Sequence, residues 1–263
     1  MSGARSEPPG ADAHYRDPRY YDHAYRTYKP DLAFYLEQAH RAGGPVLELG
    51  VGTGRVAMAL ADRGVEVVGL DRMPGMLERA RERIARRPRR VRDRITLVRG
   101  DMRRVRLDRR FPLVIAPFNV FQHLYDRQDV EAGLGTCRHH LEPGGHLALD
   151  VMVPDPVSLA RDPNRFYKCR PIKHPRDGRR HAYEEAFRYD HDRQVQVTTM
   201  RFTPLEEPGA AFLDELPQRQ FFPRELEALL HYNGFDVVRH DGGFEGEPID
   251  ELAESQVVLA RLR

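Results

Sequence analysis

Three glycines alternate with other residues directly after an apolar run, at Gly50, Gly52 and Gly54. Because glycine lacks a Cβ atom, such a loop can turn tightly and bring its backbone close to a ligand. About 20 residues further on, the apolar run Val65–Leu70 ends in Asp71. A carboxylate at that place can accept hydrogen bonds from both ribose hydroxyls of an adenosine cofactor. The pattern predicts half of a nucleotide-binding α/β unit.

The spacing of the glycines distinguishes between adenosine cofactors. A dinucleotide site has the pattern G-x-G-x-x-G, which needs glycine where Arg55 stands, and an acidic residue such as Glu48 just before the loop is also unlike it. The segment Glu48–Gly54 instead resembles the first motif, E-x-G-x-G-x-G, of the class I S-adenosylmethionine (SAM)-dependent methyltransferases. SAM carries no phosphate, so the loop need only pass under its amino-acid and ribose parts. A NAD site and a glycine turn without a ligand are the alternatives.

The resemblance implies how SAM would be held. The three glycines would form the floor under it, and Asp71 would bind the ribose, unless it merely starts a helix. The other cofactor contacts that it implies are Tyr28, Glu48, Arg72, Met73, Met76, Asp101, Met102 and Phe118. Asp101 would accept the adenine amino group and Phe118 would lie beside the methionyl group. Met76 stands at helical spacing and also fits the core.

Candidate catalytic residues follow the predicted fourth strand. A methyl acceptor must be aligned with the activated carbon and must lose its proton if it carries one. His123 lies in the loop that faces the transferred methyl group in this fold, and imidazole ordinarily titrates near working pH. We predict it as the base, with a helix-capping or exposed histidine as the alternative. Asn119 and Gln122 would position the acceptor.

Two tyrosines before the first helix extend this set. Tyr21 and Tyr25 would form a lid whose rings exclude water and whose hydroxyls contact the substrate or the SAM carboxylate. We expect a catalytic role for Tyr21 and a substrate contact for Tyr25.

Within the superfamily, the chain resembles bacterial small-molecule N-methyltransferases, including those that act on amino sugars and on glycine. The resemblance rests on the Tyr21–Tyr25 segment, the Phe118–Leu124 loop and a β insertion before Gln220. It implies that the insertion covers the acceptor and supplies contacts from Tyr167, Arg170, Tyr183, Glu185, Arg201 and Phe221. The insertion is longer than is typical of the amino-sugar enzymes, which leaves room for a larger acceptor such as a peptide terminus.

Strand and helix alternate five times between residues 46 and 153, which predicts an α/β fold with a parallel, doubly wound, Rossmann-like sheet. The predicted strands are 46–49, 65–70, 95–99, 113–116 and 146–153, with a late pair at 235–240 and 256–262 that completes the seven-stranded class I methyltransferase sheet. The predicted helices are 31–42, 55–63, 74–86, 129–141 and 223–232. Residues 154–220 show no helical period, and two strands at 182–190 and 193–203 predict an inserted antiparallel β-meander.

These patterns set the expected organisation of the chain. Residues 1–18 are expected to be a disordered tail, 19–153 the SAM-binding core, 154–220 a substrate lid and 221–263 the rest of the core sheet.

Composition narrows the classes of partner. The net charge of the 263 residues is +2. An arginine-rich stretch at 79–110 could be a nucleic-acid patch, but no aromatics are interleaved with it, and a solvated helix end is favoured.

The two cysteines, Cys137 and Cys169, lack metal-like spacing, so no metal site is expected. With no membrane-length apolar run and no signal core, a cytoplasmic protein without a membrane partner is expected. A homodimer is left open.

The leading prediction is an enzyme that methylates an amine nitrogen of a small molecule with SAM. Methyl transfer to oxygen or carbon, or to a peptide terminus, is the alternative within the class. A nucleic-acid methyltransferase is disfavoured because the Asn-Pro-Pro-Tyr-type loop for exocyclic base amines is absent; the fourth strand runs into Ala116–Asn119. A non-catalytic SAM-binding protein is the remote alternative.

Overall fold

The computed structural model describes residues 7–263, which divide into two compact units. The larger unit comprises Tyr28–Val153 and Phe221–Arg263, and the smaller unit combines the chain up to Thr27 with Pro154–Gln220. The boundary expected at residue 19 therefore differs from the observed one, because the residues before Tyr28 group with the insertion. Residues 1–6 of the expected tail lie outside the described residues.

The helices and strands of both units are numbered in chain order. The helices are α1 Pro18–Tyr25, α2 Leu32–Ala42, α3 Arg55–Asp62, α4 Pro74–Ala85, α5 Arg89–Arg92, α6 Arg127–His140, α7 Pro156–Leu159 and α8 Pro223–Tyr232. The strands are β1 Val46–Leu49, β2 Val67–Asp71, β3 Ile95–Arg99, β4 Phe111–Ala116, β5 Leu141–Met152, β6 Tyr167–Lys168, β7 Ile172–Lys173, β8 Arg180–Asp190, β9 Val195–Pro204, β10 Phe212–Arg219, β11 Phe235–Asp241 and β12 Ser255–Leu262. Short 3₁₀ helices lie at Ala13–Tyr15, Val120–His123 and Pro208–Ala210.

The larger unit is built on a seven-stranded sheet of order β11-β12-β5-β4-β1-β2-β3. Strands β1 to β5 are parallel to one another. Strand β12 runs antiparallel to β5, and β11 runs antiparallel to β12. All four residues of β1 are buried, as expected for a strand covered by helices on both faces. The predicted doubly wound sheet with its late strand pair is confirmed. One difference is that β5 begins at Leu141, because that residue already pairs with Phe111 of β4.

Strand order locates the crevice where a ligand can bind. From β1 the chain moves outward to β2 and β3, and then returns to β4 on the other side of β1. In doubly wound sheets, ligands bind beyond the carboxyl ends of the strands at such a reversal. The segments after β1 and β4 therefore define the candidate site.

The smaller unit contains a sheet of order β10-β9-β8-β6, with β7 also paired to β8. Strands β8, β9 and β10 are antiparallel neighbours, so the insertion is antiparallel as predicted, but it holds more strands than the two expected. Strand β10 was missed because Pro217 interrupts its sequence pattern, although it lies in an edge strand, where proline is tolerated. The short helix α7 is a further departure from the expected absence of helix.

The amino-terminal segment of the smaller unit is ordered around His14. Residues 7–18 were expected to lack structure, but they include the 3₁₀ helix Ala13–Tyr15, and His14 is only 2% exposed. Aromatic packing explains the difference, because the His14 ring lies edge-on to the rings of Tyr20 and Tyr25. Among residues 7–263, no helix is long and apolar enough to cross a membrane.

Candidate functional site

The glycine loop after β1 adopts a conformation that only glycine takes without cost. Gly50, Gly52 and Gly54 have φ angles of +67°, +55° and +81°. A Cβ at Gly50 would also collide with Val120, whereas at Gly52 the nearest atom would be the Met76 methyl carbon at 3.5 Å. Because glycine has no side chain, the backbone at Gly52 is left uncovered, as the predicted cofactor contact needs.

Asp71 ends β2 and faces this loop. Its Oδ2 atom accepts a hydrogen bond from the Gly52 N–H at 2.8 Å, and its Oδ1 atom accepts one from the Met73 N–H at 2.8 Å. Burial raises the pKa of the carboxyl group, against the lowering effect of these two donors and of Arg72. A carboxylate has about four acceptor sites, so Asp71 can still accept a ribose hydroxyl.

Glu48 lies beneath the loop and is 2% exposed. Its carboxyl group accepts a hydrogen bond from the backbone of Ala57 in α3, while its Oε2 atom is buried without a hydrogen-bond partner among the described residues. Burial raises its pKa well above the usual range. This hydrogen bond connects β1 with α3, and the contact of Glu48 with SAM stays a prediction.

Asp101 follows β3, but its carboxylate is already engaged. Arg103 donates to Oδ1 at 2.9 Å and to Oδ2 at 2.6 Å, and its other end reaches Asp129 at 3.1 Å. Burial alone would raise the pKa of Asp101, but the Arg103 guanidinium holds it below the usual range. Any contact with an adenine amino group would therefore be made by a carboxylate that is held in place by Arg103.

The remaining predicted adenine contacts differ in burial. Arg72 and Met73 are half-buried, and Met73 caps the start of α4. Met76 is 2% exposed and packs under the glycine loop, and Met102 packs against the main core cluster. Met76 thus serves the core, whereas Met102 is only partly buried, like Arg72 and Met73.

Phe118 and Tyr28 lie together beside an ion pair. Their ring centroids are 4.9 Å apart, and the Arg55 guanidinium lies 5.4 Å from the Tyr28 ring and 5.3 Å from the Phe118 ring. Arg55 donates two hydrogen bonds to Asp31, at 2.7 and 2.6 Å, and Asp31 is fully buried. This bidentate pair fixes the cation between the two rings.

The loop after β4 carries the candidate catalytic groups. Phe118 and Asn119 have φ angles of +61° and +65°, and both of their N–H groups donate to the buried carboxylate of Asp150. The 3₁₀ helix that follows contains Gln122, fully buried, and His123, half-buried. The structure thus brings Asn119, Gln122 and His123 into one loop at the carboxyl end of β4.

His123 does not cap the helix that follows. The N-cap of α6 is Asp126, whose side chain accepts a hydrogen bond from the Asp129 N–H. The Nδ1 atom of His123 lies 3.2 Å from the Tyr125 hydroxyl, and Tyr125 is 2% exposed. This contact fixes the orientation of the imidazole, and the capping alternative is excluded.

Tyr21 and Tyr25 lie in the aromatic cluster of the smaller unit. Their ring centroids are 4.8 Å apart, and the Tyr25 hydroxyl lies 2.9 Å from His14 Nε2. The other nitrogen of His14 is 3.6 Å from Asp214. Burial and the nearby carboxylates Glu185 and Asp214 raise the pKa of Tyr25 to about 12, so its phenol stays protonated at neutral pH.

The register of the smaller sheet separates the predicted substrate residues. Tyr167 pairs with Glu185, and Tyr183 donates to Glu185, so these three side chains share one face. Arg201 pairs with Glu184, its salt-bridge partner at 2.7 Å, on the opposite face. Tyr183 and Arg201 therefore cannot contact one small ligand from the same face. Phe221 is fully buried in the main core of the larger unit, and the predicted contact with the substrate is wrong.

Sequence reasoning missed Asp150, Arg103 and His14. Asp150 left one signal, a carboxylate among the apolar residues that end strand β5. The partners of Arg103 and His14 are set by packing and have no local pattern. Among the described residues, no three His, Cys, Asp or Glu side chains are arranged to hold a metal ion.

Comparison with known proteins adds independent findings. A sequence family described as a methyltransferase domain matches residues 46–145. A cypemycin N-terminal methyltransferase from a Streptomyces species is 26% identical over 226 residues, which cover 82% of each chain. A dTDP-3-amino-3,4,6-trideoxy-alpha-D-glucopyranose N,N-dimethyltransferase from Streptomyces venezuelae is 27% identical over 126 residues, or 48% of this chain and 50% of that relative.

Solved structures with similar folds cover nearly the whole chain. The CcbJ methyltransferase from Streptomyces caelestis matches with a TM-score of 0.78 and 26% identity over 96% of both chains. The glycopeptide N-methyltransferase MtfA complexed with SAM matches with a TM-score of 0.62 and 27% identity, covering 90% of this chain and 96% of that one. Both matches extend over the seven-stranded sheet and the β insertion.

Proposed function

Since the chain is a SAM-dependent methyltransferase of the class I fold, we propose that it methylates an amine nitrogen of a small natural product. The observation that carries this proposal is His123, half-buried and oriented by Tyr125 in the loop at the carboxyl end of β4. A neutral imidazole at this place can accept a proton, and an amine acceptor is the group that must lose one.

The residues of the larger unit fit the cofactor. The bare backbone at Gly52 would lie under SAM, Asp71 would accept the ribose hydroxyls, and Asp101, held by Arg103, would meet the adenine edge. Tyr28, whose ring packs on Phe118, would flank the methionyl part. When bound, SAM supplies a methyl group made electrophilic by its sulfonium.

The acceptor loop supplies the acid–base chemistry. An ammonium group cannot attack, because its lone pair is bonded to a proton. We assign His123 to accept this proton and Asn119 to orient the resulting amine in line with the methyl carbon. Gln122 is fully buried, so no contact with the acceptor is assigned to it. Such general-base help contributes typically about 10²–10⁴-fold to a rate.

Two classes of amine are supported by the relatives. The cypemycin enzyme is named for a peptide N-terminus and MtfA for a glycopeptide, while the Streptomyces venezuelae enzyme is named for an amino sugar. The likeness to the first of these covers 82% of the chain and that to the amino-sugar enzyme 48%. A peptide or glycopeptide amine is therefore the first candidate, and an amino sugar is the second.

The test is incubation of the purified chain with SAM and a panel of acceptors, followed by mass spectrometry of the products. The panel contains short peptides with free or acetylated N-termini, nucleotide-linked amino sugars, and matched hydroxyl analogues of both. Gain of one or more methyl groups only where the amine is free would support the proposal. Methylation of the hydroxyl analogues or of the acetylated peptides at carbon would overturn it in favour of oxygen or carbon transfer.

A further inference from the structure

Asp150 is a buried carboxylate that no step of the proposed chemistry uses directly. It lies near the end of β5, in the centre of the sheet, and is 2% exposed. Its oxygens receive three donors: the Tyr35 hydroxyl at 2.5 Å, the Phe118 N–H at 2.7 Å and the Asn119 N–H at 3.2 Å. Burial disfavours the charge of a carboxylate, and these three hydrogen bonds offset part of that cost.

The two backbone donors belong to a conformation that needs support. Among residues 7–263, only three non-glycine residues have positive φ angles, and Phe118 and Asn119 are two of them, side by side. Left-handed backbone costs an L-residue energy that the surrounding structure must offset. The carboxylate binds the N–H groups of both residues at once, and it can do so only while both hold this conformation.

The same loop sets the place of the proposed base. Val120 directly follows Asn119 and lies against the glycine loop, where a Cβ at Gly50 would collide with it. The 3₁₀ turn closes with the hydrogen bond from the Gln122 N–H to the Asn119 carbonyl, and His123 ends that turn. A change at Phe118 or Asn119 would therefore shift the backbone that carries His123.

We infer that Asp150, itself oriented by Tyr35, is a positioning residue that holds the acceptor loop Phe118–His123 in its reactive conformation. The inference rests on the proposed function, because the loop matters for turnover only if His123 and its neighbours handle the acceptor. It assigns Asp150 no contact with SAM or with the acceptor. Its effect on the reaction passes through the backbone of Phe118 and Asn119.

Asp150→Asn is the sharpest variant, since it keeps the size of the side chain and replaces one acceptor oxygen by a donor. One loop N–H would then face an N–H₂ group. Hydrogen exchange of the 116–124 peptide should become about tenfold faster, which corresponds to about 1.4 kcal/mol. Turnover of the amine should fall by at least about tenfold, while the dissociation constant for S-adenosylhomocysteine stays within about threefold.

Two further variants separate positioning from general destabilisation. Gln256→Leu removes a buried side chain on the neighbouring strand β12, where it donates to the Phe221 carbonyl at 2.6 Å. It should lower the melting temperature without accelerating exchange of the 116–124 peptide. Tyr35→Phe leaves the carboxylate and should raise that exchange by about threefold, which provides the test if Asp150→Asn does not fold.

The outcomes are distinct. Faster exchange and lower turnover with S-adenosylhomocysteine binding retained support the inference. Unchanged exchange in Asp150→Asn or in Tyr35→Phe overturns it, as does equal acceleration in Gln256→Leu. A wild-type chain that methylates no amine contradicts the proposed function, whereas the exchange measurements, which need no acceptor, still decide whether Asp150 holds the loop.

Discussion

The loops after β1 and β4 both pass through left-handed backbone, but they reach it by different means. The first uses glycine at Gly50, Gly52 and Gly54, which adopts positive φ angles at no steric cost. The second places Phe118 and Asn119 there and offsets the strain with hydrogen bonds from both N–H groups to Asp150. In the proposed function, the glycine loop offers uncovered backbone to the cofactor, whereas the second loop needs side chains that act on the acceptor.

The two loops also differ in which residues determine their backbone conformation. The conformation of the glycine loop is determined by its own residues. That of the acceptor loop depends on Tyr35 and Asp150, which lie 115 residues apart in the chain. We therefore expect changes in the first loop to impair cofactor binding and changes in the second to impair turnover.

The largest effect is expected for His123→Ala. Loss of the base should lower turnover by about 10²–10⁴-fold, while affinity for S-adenosylhomocysteine is retained. Steady-state kinetics and calorimetric titration would measure the two quantities. Tyr125→Phe, which removes only the hydroxyl near His123 Nδ1, is the matched control and should show a smaller loss of turnover. Equal losses of turnover and of affinity in His123→Ala would remove the catalytic role.

The glycine loop can be broken by a single methyl group. Gly50→Ala places a Cβ in left-handed backbone and against Val120, so the free energy of unfolding should fall by about 2–5 kcal/mol. Gly64→Ala is the control, because its φ angle is +89° but nothing lies within 4 Å of the added carbon. Urea unfolding should show the smaller loss in the control, and similar losses in both variants would argue against close packing of the two loops.

Asp71→Ala should weaken cofactor binding. Loss of the hydrogen bonds to the ribose and to the loop should weaken binding of S-adenosylhomocysteine by about 10²-fold or more. Asp62→Ala, at the end of α3, removes a half-exposed carboxylate paired with Arg87 and should leave that affinity unchanged. Full affinity in Asp71→Ala would mean that the ribose is held elsewhere.

The carboxylate that holds the second loop should make stability depend on pH. Burial raises the pKa of Asp150 to about 6, with the charge of Asp31 adding to the rise and the three donors opposing it. Because the folded-state pKa lies above the unfolded value, the contribution to stability is present at low pH and is lost as pH rises through about 6. Relative to Asp150→Asn, the wild type should gain about 1–2 kcal/mol between pH 7.5 and pH 5 in urea unfolding. A difference that does not change with pH would place the pKa of Asp150 outside this window.

The smallest effect on stability is expected for Asn119→Gly. Asn119→Gly puts into the second loop the residue that the first loop uses, so stability should change by less than about 1 kcal/mol, while turnover falls with loss of the amide. Thermal unfolding and kinetics would measure both. A loss of stability well beyond this value would show that the Asn119 side chain, and not the backbone, sustains the loop.

Much of the fold follows from local sequence pattern. The buried parallel strands appear as apolar runs, and the glycine turn and Asp71 stand where a nucleotide-binding unit needs them. The smaller sheet was less predictable, because Pro217 obscures β10 and because the order around His14 arises from aromatic contacts. The extension of β5 to Leu141 depends on pairing with Phe111, which the sequence of β5 does not contain.

Some residues of the candidate site could also be identified from the sequence, and others could not. The glycines, Asp71 and His123 could be selected from motif and position. The engagement of Asp101 by Arg103, the placement of Glu48 beneath the loop and the opposite faces of Tyr183 and Arg201 could not, since each depends on contacts between residues or on strand register. Asp150 acts through two backbone groups, which leave no mark in the sequence.

The most direct test of the separate roles of the two loops is calorimetric titration of S-adenosylhomocysteine into the wild type, Asp71→Ala and Asp150→Asn. The account predicts that binding is weakened by about 10²-fold or more in Asp71→Ala and stays within about threefold of the wild type in Asp150→Asn. Retained binding in Asp71→Ala, or an equal loss in both variants, would contradict the assignment of cofactor binding to the first loop and of acceptor chemistry to the second.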